Sequence, residues 1–222
     1  MLINNLDRSG TTPPNDRAIF YERFQWLPYC LCRKFSNPVP NQDQVHKLCQ
    51  ASAEQILHEF KPNLMVAIGG GGYVPARILR SFLKQTGSPN IPIQAIGLSL
   101  YEQLGTDTQV EQPGTKVTRT QWLDLSSLEM ASLIGKNVLI VDEVDDTRTT
   151  LEYAVKELEK DVAAAAKMAN RGTENTNFTI FVLHNKDKPK KGHLPDYMMK
   201  NGRYLAARTV GDVWINYPWE AT

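Results

Sequence analysis

The stretch Asn137–Val155, NVLIVDEVDDTRTTLEYAV, decides how the rest of the chain is read. It opens on an apolar run, Val138–Val141, of the kind that fills a strand buried on both faces of a parallel sheet. Four carboxylates follow at once: Asp142, Glu143, Asp145 and Asp146. A threonine-rich segment (Thr147, Thr149 and Thr150 around Arg148) then starts a helix whose apolar face is Leu151, Ala154, Val155, Leu158 and Val162. Two like charges about 4 Å apart repel by roughly 4 kcal/mol at an effective dielectric near 20, so this crowding calls for a compensating ligand or ion. In open α/β sheets ligands lie beyond the carboxyl ends of the strands, and a helix N-terminus there presents free N–H groups and a partial positive charge. The second half of the segment therefore suits a phosphate monoester, and the first half suits sugar hydroxyls or a hydrated Mg²⁺. A solvated acidic turn with Asp146 as a plain helix cap would need one carboxylate, not four.

Outward from this stretch, the pattern alternates strands and helices. Val45, Leu48, Cys49, Ala53, Ile56, Leu57 and Phe60 mark one face of a helix that Lys61-Pro62-Asn63 ends. Leu64–Ile68 is a short apolar strand followed by Gly69–Gly72, and a second helix starts near Pro75 with Ile78, Leu79, Phe82 and Leu83 on its apolar side. Residues 91–101 read as a strand, and 117–123 as its return. Between them, 102–116 is a polar loop long enough to suggest a functional lid. Further strands are expected at 178–184 and 203–210, with a lysine-rich turn at 186–191 and an aromatic-rich end, Trp214–Trp219. The fold class that follows is α/β, with a mainly parallel sheet flanked by helices. Residues 1–40 are polar and proline-rich around one aromatic cluster, and are expected to be a poorly ordered extension preceding the domain at 41–222.

Composition narrows the partners. The chain of 222 residues carries 25 Lys+Arg against 24 Asp+Glu, so bulk charge points to no nucleic-acid partner. No apolar run approaches the roughly 18 residues of a membrane span, and the N-terminal residues lack the apolar core of a secretory signal. Three cysteines, Cys30, Cys32 and Cys49, form no disulfide or zinc pattern, which suits free thiols in a reducing, cytoplasmic setting.

Other acidic-strand and glycine-loop chemistries fit less well. An aspartate-nucleophile phosphatase needs Asp-x-Asp-x-Thr, and Glu143 stands where its nucleophile would be. The run Gly69–Gly72 is followed by no Gly-Lys-Ser/Thr, and Val74 spoils Gly-x-Gly-x-x-Gly. By contrast, Val138–Thr150, VLIVDEVDDTRTT, resembles the phosphoribosyl-diphosphate (PRPP) motif of type I phosphoribosyltransferases. From about Val45 to Glu220 the chain is similar to the purine (6-oxopurine) branch of that family. The likeness is strongest to fungal xanthine and hypoxanthine-guanine types in NIPIQAIGLSLYE, RTQWLD and FVLHNKDKPK.

The resemblance implies a type I phosphoribosyltransferase-like fold with a small hood, formed largely by about 185–222. It implies purine salvage: Mg²⁺-dependent transfer of 5-phosphoribosyl from PRPP to N9 of a 6-oxopurine, with xanthine the leading acceptor and hypoxanthine and guanine next, by a homodimer. A non-catalytic sensor of PRPP or nucleotides on the same fold is the alternative. Asp142 and Glu143 would hold the ribose hydroxyls, directly or through Mg²⁺, and Glu220 a second Mg²⁺. Asp146 would exchange the proton at purine N7. Asp146, Thr147, Arg148, Thr149 and Thr150 would wrap the 5′-phosphate. Gly69, Gly70 and Gly71 would form the diphosphate loop, and Ser99 and Tyr101 the start of the mobile loop. Trp214 would stack on the purine, the Ile215 backbone would read its 2-position edge, and Lys186, or His184 two residues earlier, would donate to its 6-oxygen. Four positions depart from the family pattern. Gly70 replaces a usual Lys or Arg, Arg148 a usual Gly, Thr149 a usual Gly or Lys, and Asp145, to which no catalytic role is assigned, an apolar residue; the Arg148 side chain reads equally as a phosphate contact or as a solvated charge.

Overall fold

A computed structural model describes residues 41–102, 112–123 and 133–220, with backbone alone for 101–102 and 112–116. The extension expected at 1–40 and the tip of the expected lid, 103–111, lie outside the described residues. In chain order the elements are α1 (Gln42–Gln55), β1 (Leu64–Gly69), α2 (Tyr73–Leu83), β2 (Ile93–Glu102), β3 (Gln112–Gln121), β4 (Asn137–Asp145), α3 (Thr149–Met168), β5 (Asn177–Lys186), α4 (Asp196–Lys200) and β6 (Tyr204–Val210). The six strands form one sheet in the order β3-β2-β1-β4-β5-β6, in which the β2–β3 pair is antiparallel and the rest are parallel.

The apolar runs become the central strands because both faces of the sheet are covered. Alternation splits each run between two cores. Leu64, Val66 and Ile68 of β1, Val138 and Ile140 of β4, and Phe178, Ile180 and Val182 of β5 pack with Leu151, Ala154, Val155 and Leu158 of α3. Met65 and Ala67, Leu139 and Val141, and Phe181 and Leu183 pack on the other face with Val45, Cys49, Ala76, Leu79 and Leu83 of α1 and α2. Register locks the layers together, with Val66 beside Ile140 and Ile140 beside Ile180. Cys49 is buried there, and burial pushes its thiol up to about 12, which makes it an inert packing group.

Local chemistry sets the helix ends. Asn41 caps α1 through a capping box with Gln44, its side chain accepting the Gln44 N–H at 2.8 Å. A π-turn, Ile56–Phe60, closes the helix on Lys61 in the left-handed region at φ 47°. Across the sheet, Trp122 donates to Asp161 of α3 at 2.8 Å, and the guanidinium of Arg119 lies 4.0 Å from the Trp122 ring centroid while pairing with Glu157.

Two expectations are corrected, and one element is added. The strand read as ending at Val141 continues to Asp145, because ladder pairing with β5 extends through Val144–His184 and Asp145–Asn185. The following helix starts at Thr149 rather than Thr147, because Arg148 at φ 68° interrupts the backbone between them. The short helix α4 went unread, since five residues carry too little periodicity to announce themselves. Among the described residues no helix is long and apolar enough to cross a membrane.

The glycine run is needed where it crosses β4. A Cβ on Gly72 would press on the carbonyl oxygens of Val141 and Ile68, both backbone atoms in the sheet centre. Gly72→Ala should lower stability by about 1–3 kcal/mol, read as an earlier urea midpoint with unchanged slope. Gly172→Ala, whose Cβ would meet nothing within 4 Å, should leave the midpoint in place.

Candidate active site

The extension of β4 to Asp145 puts the acidic cluster on the sheet itself, at its carboxyl edge. Asp142 is nearly buried, and its Oδ1 accepts the Glu143 N–H at 2.8 Å. Burial drives its pKa well above the usual carboxylate range. The Glu143 N–H opposes the rise, while the charges of Glu143 and Asp145 add to it. Glu143 is raised to about 7, first by burial and then by the charge of Glu220, against a hydrogen bond from the Trp219 indole N–H at 2.8 Å. Gly71 passes so close over Glu143 that a Cβ there would overlap its carboxylate. Among the described residues no Lys or Arg pairs with Asp142, Glu143 or Glu220. No three acidic, His or Cys side chains there close on one point as a complete metal cage. Uncompensated carboxylate oxygens, one or two at a time, are the donor set that suits Mg²⁺ completed by water and substrate oxygens.

Asp145 and Asp146 are treated differently: the protein supplies their cations. Asp145 is 1% exposed. Its Oδ2 accepts Arg148 Nε at 3.0 Å, Arg148 Nη2 at 2.8 Å and the Tyr204 hydroxyl at 2.6 Å. Arg148 therefore points neither at a phosphate nor into solvent. Its pKa is raised, burial opposing and the Asp145 hydrogen bonds prevailing. The loop Asp146–Thr150 is left with backbone N–H groups and hydroxyls as its donors, Thr147 Oγ1 lying 3.1 Å from Thr149 Oγ1. The turn after β5 is stitched to this loop. Lys191 and Gly192 N–H both donate to the Thr147 carbonyl at 3.0 Å, and Lys190 Nζ donates to the carbonyls of Asp145 (2.7 Å), Asp146 (2.9 Å) and Lys186 (2.8 Å).

Asp146 faces the hood segment. Lys186 Nζ donates to its Oδ2 at 3.1 Å, Lys188 pairs with its other oxygen, and Lys186 Nζ lies 5.9 Å from the Trp214 ring centroid. Burial alone would raise the Asp146 pKa, but hydrogen bonds from Lys188 and then Lys186 outweigh it and hold the carboxylate ionised. Trp214 is 61% exposed, whereas Ile215 and Tyr217 are buried in the α1/α2 core and anchor it. His184 lies elsewhere: it is 4% exposed, with Nδ1 2.9 Å from the Tyr217 hydroxyl. That hydroxyl donates to the Glu143 carbonyl at 3.0 Å, so Nδ1 of His184 carries the proton in their bond. Of the two sequence candidates, Lys186 is the one brought to Trp214 and Asp146. Ser99 and Tyr101 lie on β2, with β1 between them and β4. Gly69, Gly70 and Gly71 close β1 and lead into α2, with a cis peptide between the first two. Sequence reasoning missed Trp219, Tyr217, Lys188 and Lys190. The aromatic run and lysine-rich turn signalled their segments, but not which side chains reach the acids.

Residues 41–203 match the family described as Phosphoribosyl transferase domain. The chain is 62% identical over 182 residues to xanthine phosphoribosyltransferase 1 of Saccharomyces cerevisiae, covering 81% of this chain and 87% of that protein. It is 59% identical to a hypoxanthine-guanine phosphoribosyltransferase of Schizosaccharomyces pombe, covering 81% and 86%. Among solved structures, a hypothetical protein from Neisseria gonorrhoeae with bound ppGpp superposes at TM-score 0.62 with 36% identity, covering 85% of this chain and 92% of that one. A purine phosphoribosyltransferase from Pyrococcus horikoshii shares the fold at TM-score 0.57 and 24% identity, covering 85% and 96%.

The buried His184 gives a pH signature. Burial, then the charge of Arg208, lowers its pKa from 6.5 to about 4. The unfolded imidazole binds a proton that the folded one refuses, so its contribution is complete above about pH 6.5 and is lost as pH falls toward 4. At roughly 1.4 kcal/mol per unit the loss is about 3 kcal/mol. The raised pKa of Glu143 acts with the opposite sign, so the diagnostic quantity is a difference. Between pH 7 and pH 5, denaturant unfolding should show the wild type losing stability relative to His184→Gln.

Proposed function

This chain belongs to the phosphoribosyltransferase family, and on that footing we propose that it transfers the 5-phosphoribosyl group of PRPP to N9 of a 6-oxopurine. We read it as an enzyme of purine salvage of the xanthine or hypoxanthine-guanine kind, relatives of both names lying near 60% identity, and we put xanthine first among its acceptors. The observation that carries this reading is the position of Asp146. On one side it begins the loop of N–H groups and hydroxyls. On the other it holds Lys186 at 3.1 Å, itself 5.9 Å from the Trp214 ring. A ligand spanning the two halves would need a 5′-phosphate at one end and a flat base with a hydrogen-bond acceptor at the other.

In the proposed reaction the C1′–oxygen bond to diphosphate breaks, the C1′–N9 bond forms, and the purine gives up one ring proton. Asp146, held ionised by its two lysines, is the acceptor for that proton on the N7 side. Asp142 and Glu143 hold the ribose hydroxyls, where negative charge also favours the cationic sugar of the transition state. Mg²⁺ bound by Asp142 or Glu143, with a second ion at Glu220, would supply neutralisation of the leaving diphosphate. Thr147, Thr149 and Thr150 grip the 5′-phosphate, and the glycine run admits the diphosphate to close backbone approach. The segment between β2 and β3 would cover the site and exclude water from the sugar cation.

Diphosphate release from PRPP should be measured side by side with xanthine, hypoxanthine, guanine and adenine. Turnover is expected with the 6-oxopurines, fastest with xanthine, and not with adenine. PRPP binding without turnover on any base would instead indicate a sensor. Asp146→Asn should lower kcat by about 100-fold, the range of a lost general base, while raising KM for PRPP much less. Equal loss in both would remove Asp146 from the proton step.

A further inference from the structure

We infer that Asp145, through Arg148 and Tyr204, is a positioning residue that holds the 5′-phosphate loop in its binding shape. The inference rests on the reading of Asp146–Thr150 as that loop. Arg148 stands at φ 68°, in the left-handed region that penalises any residue with a Cβ, and it stands between the two threonines that face the phosphate. Something must hold it there. Its guanidinium is fastened through Nε at 3.0 Å and Nη2 at 2.8 Å to one oxygen of Asp145, whose side chain is fully buried. The same oxygen takes the Tyr204 hydroxyl at 2.6 Å, and the Tyr204 ring centroid lies 5.0 Å from the guanidinium carbon. The other oxygen faces Lys190 at 3.5 Å. Side chain and backbone of Arg148 are thus fixed together. Its carbonyl starts α3 by accepting the Glu152 N–H at 2.9 Å and lies against Gly192, where a Cβ would overlap it.

The two residues compensate one another. Remove the carboxylate, and Arg148 keeps a half-hidden charge and an unfavourable backbone with nothing to anchor either, so the loop turns outward. Remove the arginine alone, and a buried carboxylate loses two of its donors. Replace both, with an apolar residue at 145 and glycine at 148, and neither problem remains, because glycine adopts the left-handed conformation freely. Asp145 touches no substrate in this account and acts only on the shape of the loop.

The experiment compares binding of guanosine and guanosine 5′-monophosphate by calorimetry in the full chain, in Asp145→Val, in Arg148→Gly and in Asp145→Val/Arg148→Gly. The unaltered chain should prefer the monophosphate. Asp145→Val should lose that preference by about tenfold or more, with guanosine affinity unchanged, as expected of lost charge-assisted contacts to phosphate. The double variant should recover most of it, the non-additivity expected of two residues that act as one unit, whereas a merely structural role would weaken guanosine and the monophosphate alike. Asp145→Asn, which keeps the volume and loses the charge, should show the same loss to a smaller degree if the valine variant does not fold. Retained preference in Asp145→Val or Asp145→Asn, or a double variant no better than the worse single, overturns the inference. An unaltered chain with no preference for the monophosphate overturns the reading of the loop, and the inference with it.

Discussion

Four carboxylates from Asp142 to Asp146, three on the end of β4 and one just past it, set the constraint that the rest of the structure satisfies. The chain divides them. Asp145 receives Arg148, Lys190 and Tyr204, and Asp146 receives Lys186 and Lys188, so these two carry cations of the protein's own. Asp142 and Glu143 receive none among the described residues and are correspondingly hard to ionise, with Glu143 raised to about 7. A buried carboxylate in that condition gains most from an arriving cation. On the proposed reading the arriving charges are Mg²⁺ and the cationic sugar of the transition state. The pair nearest the α3 terminus is neutralised internally, which keeps its charge from repelling a phosphate. One acidic run thereby serves two opposite electrostatic tasks separated by a single residue, Val144.

The two cores decide where those charges can sit. Ile215 and Tyr217 are buried with α1, α2 and the odd-numbered residues of β4. Tyr217 stacks on Trp219 at 4.9 Å, and Trp219 reaches Glu143. The segment Ile215–Trp219 is thus tied to the acid pair by packing, while the lysine turn is tied to the segment before α3 through Lys190 and Gly192. Because strands β4 and β5 pair to their carboxyl ends, a shift of one would move the acids and Lys186 together.

The fold was legible because its signals are strong and redundant: continuous apolar runs, glycine punctuation and helical periodicity around one acidic motif. The acids of the candidate site were read from the same motif, and Lys186 and Trp214 from the resemblance of their own segments; the structure puts Lys186 beside both Asp146 and Trp214. What escaped depended on side-chain direction. Arg148 reads equally well as a phosphate ligand or a solvated charge, and only the burial of Asp145 beneath it turns it inward. The strand end at Val141 was misread because acidic residues count against a strand in any propensity argument, whereas the β5 ladder carries them regardless. Trp219 and Lys190 act across 76 and 45 residues, on Glu143 and Asp145 respectively, distances at which a linear pattern carries no signal.

The choice of base on the proposed reading follows from the confinement of one ammonium group. Lys186 is 6% exposed and already donates one N–H to Asp146. A base with an oxygen at position 6 accepts from the remaining donors, as xanthine, hypoxanthine and guanine all do. A base with an amine there sets donor against donor and leaves a buried charge short of a partner, at a cost of about 1–3 kcal/mol or more. Sites built to bond a polar group reject the analogue that lacks it more strongly than apolar pockets reject a change of size. On that reading, discrimination between oxo and amino purines belongs to Lys186, and its sharpness to Asp146, which fixes where the lysine points.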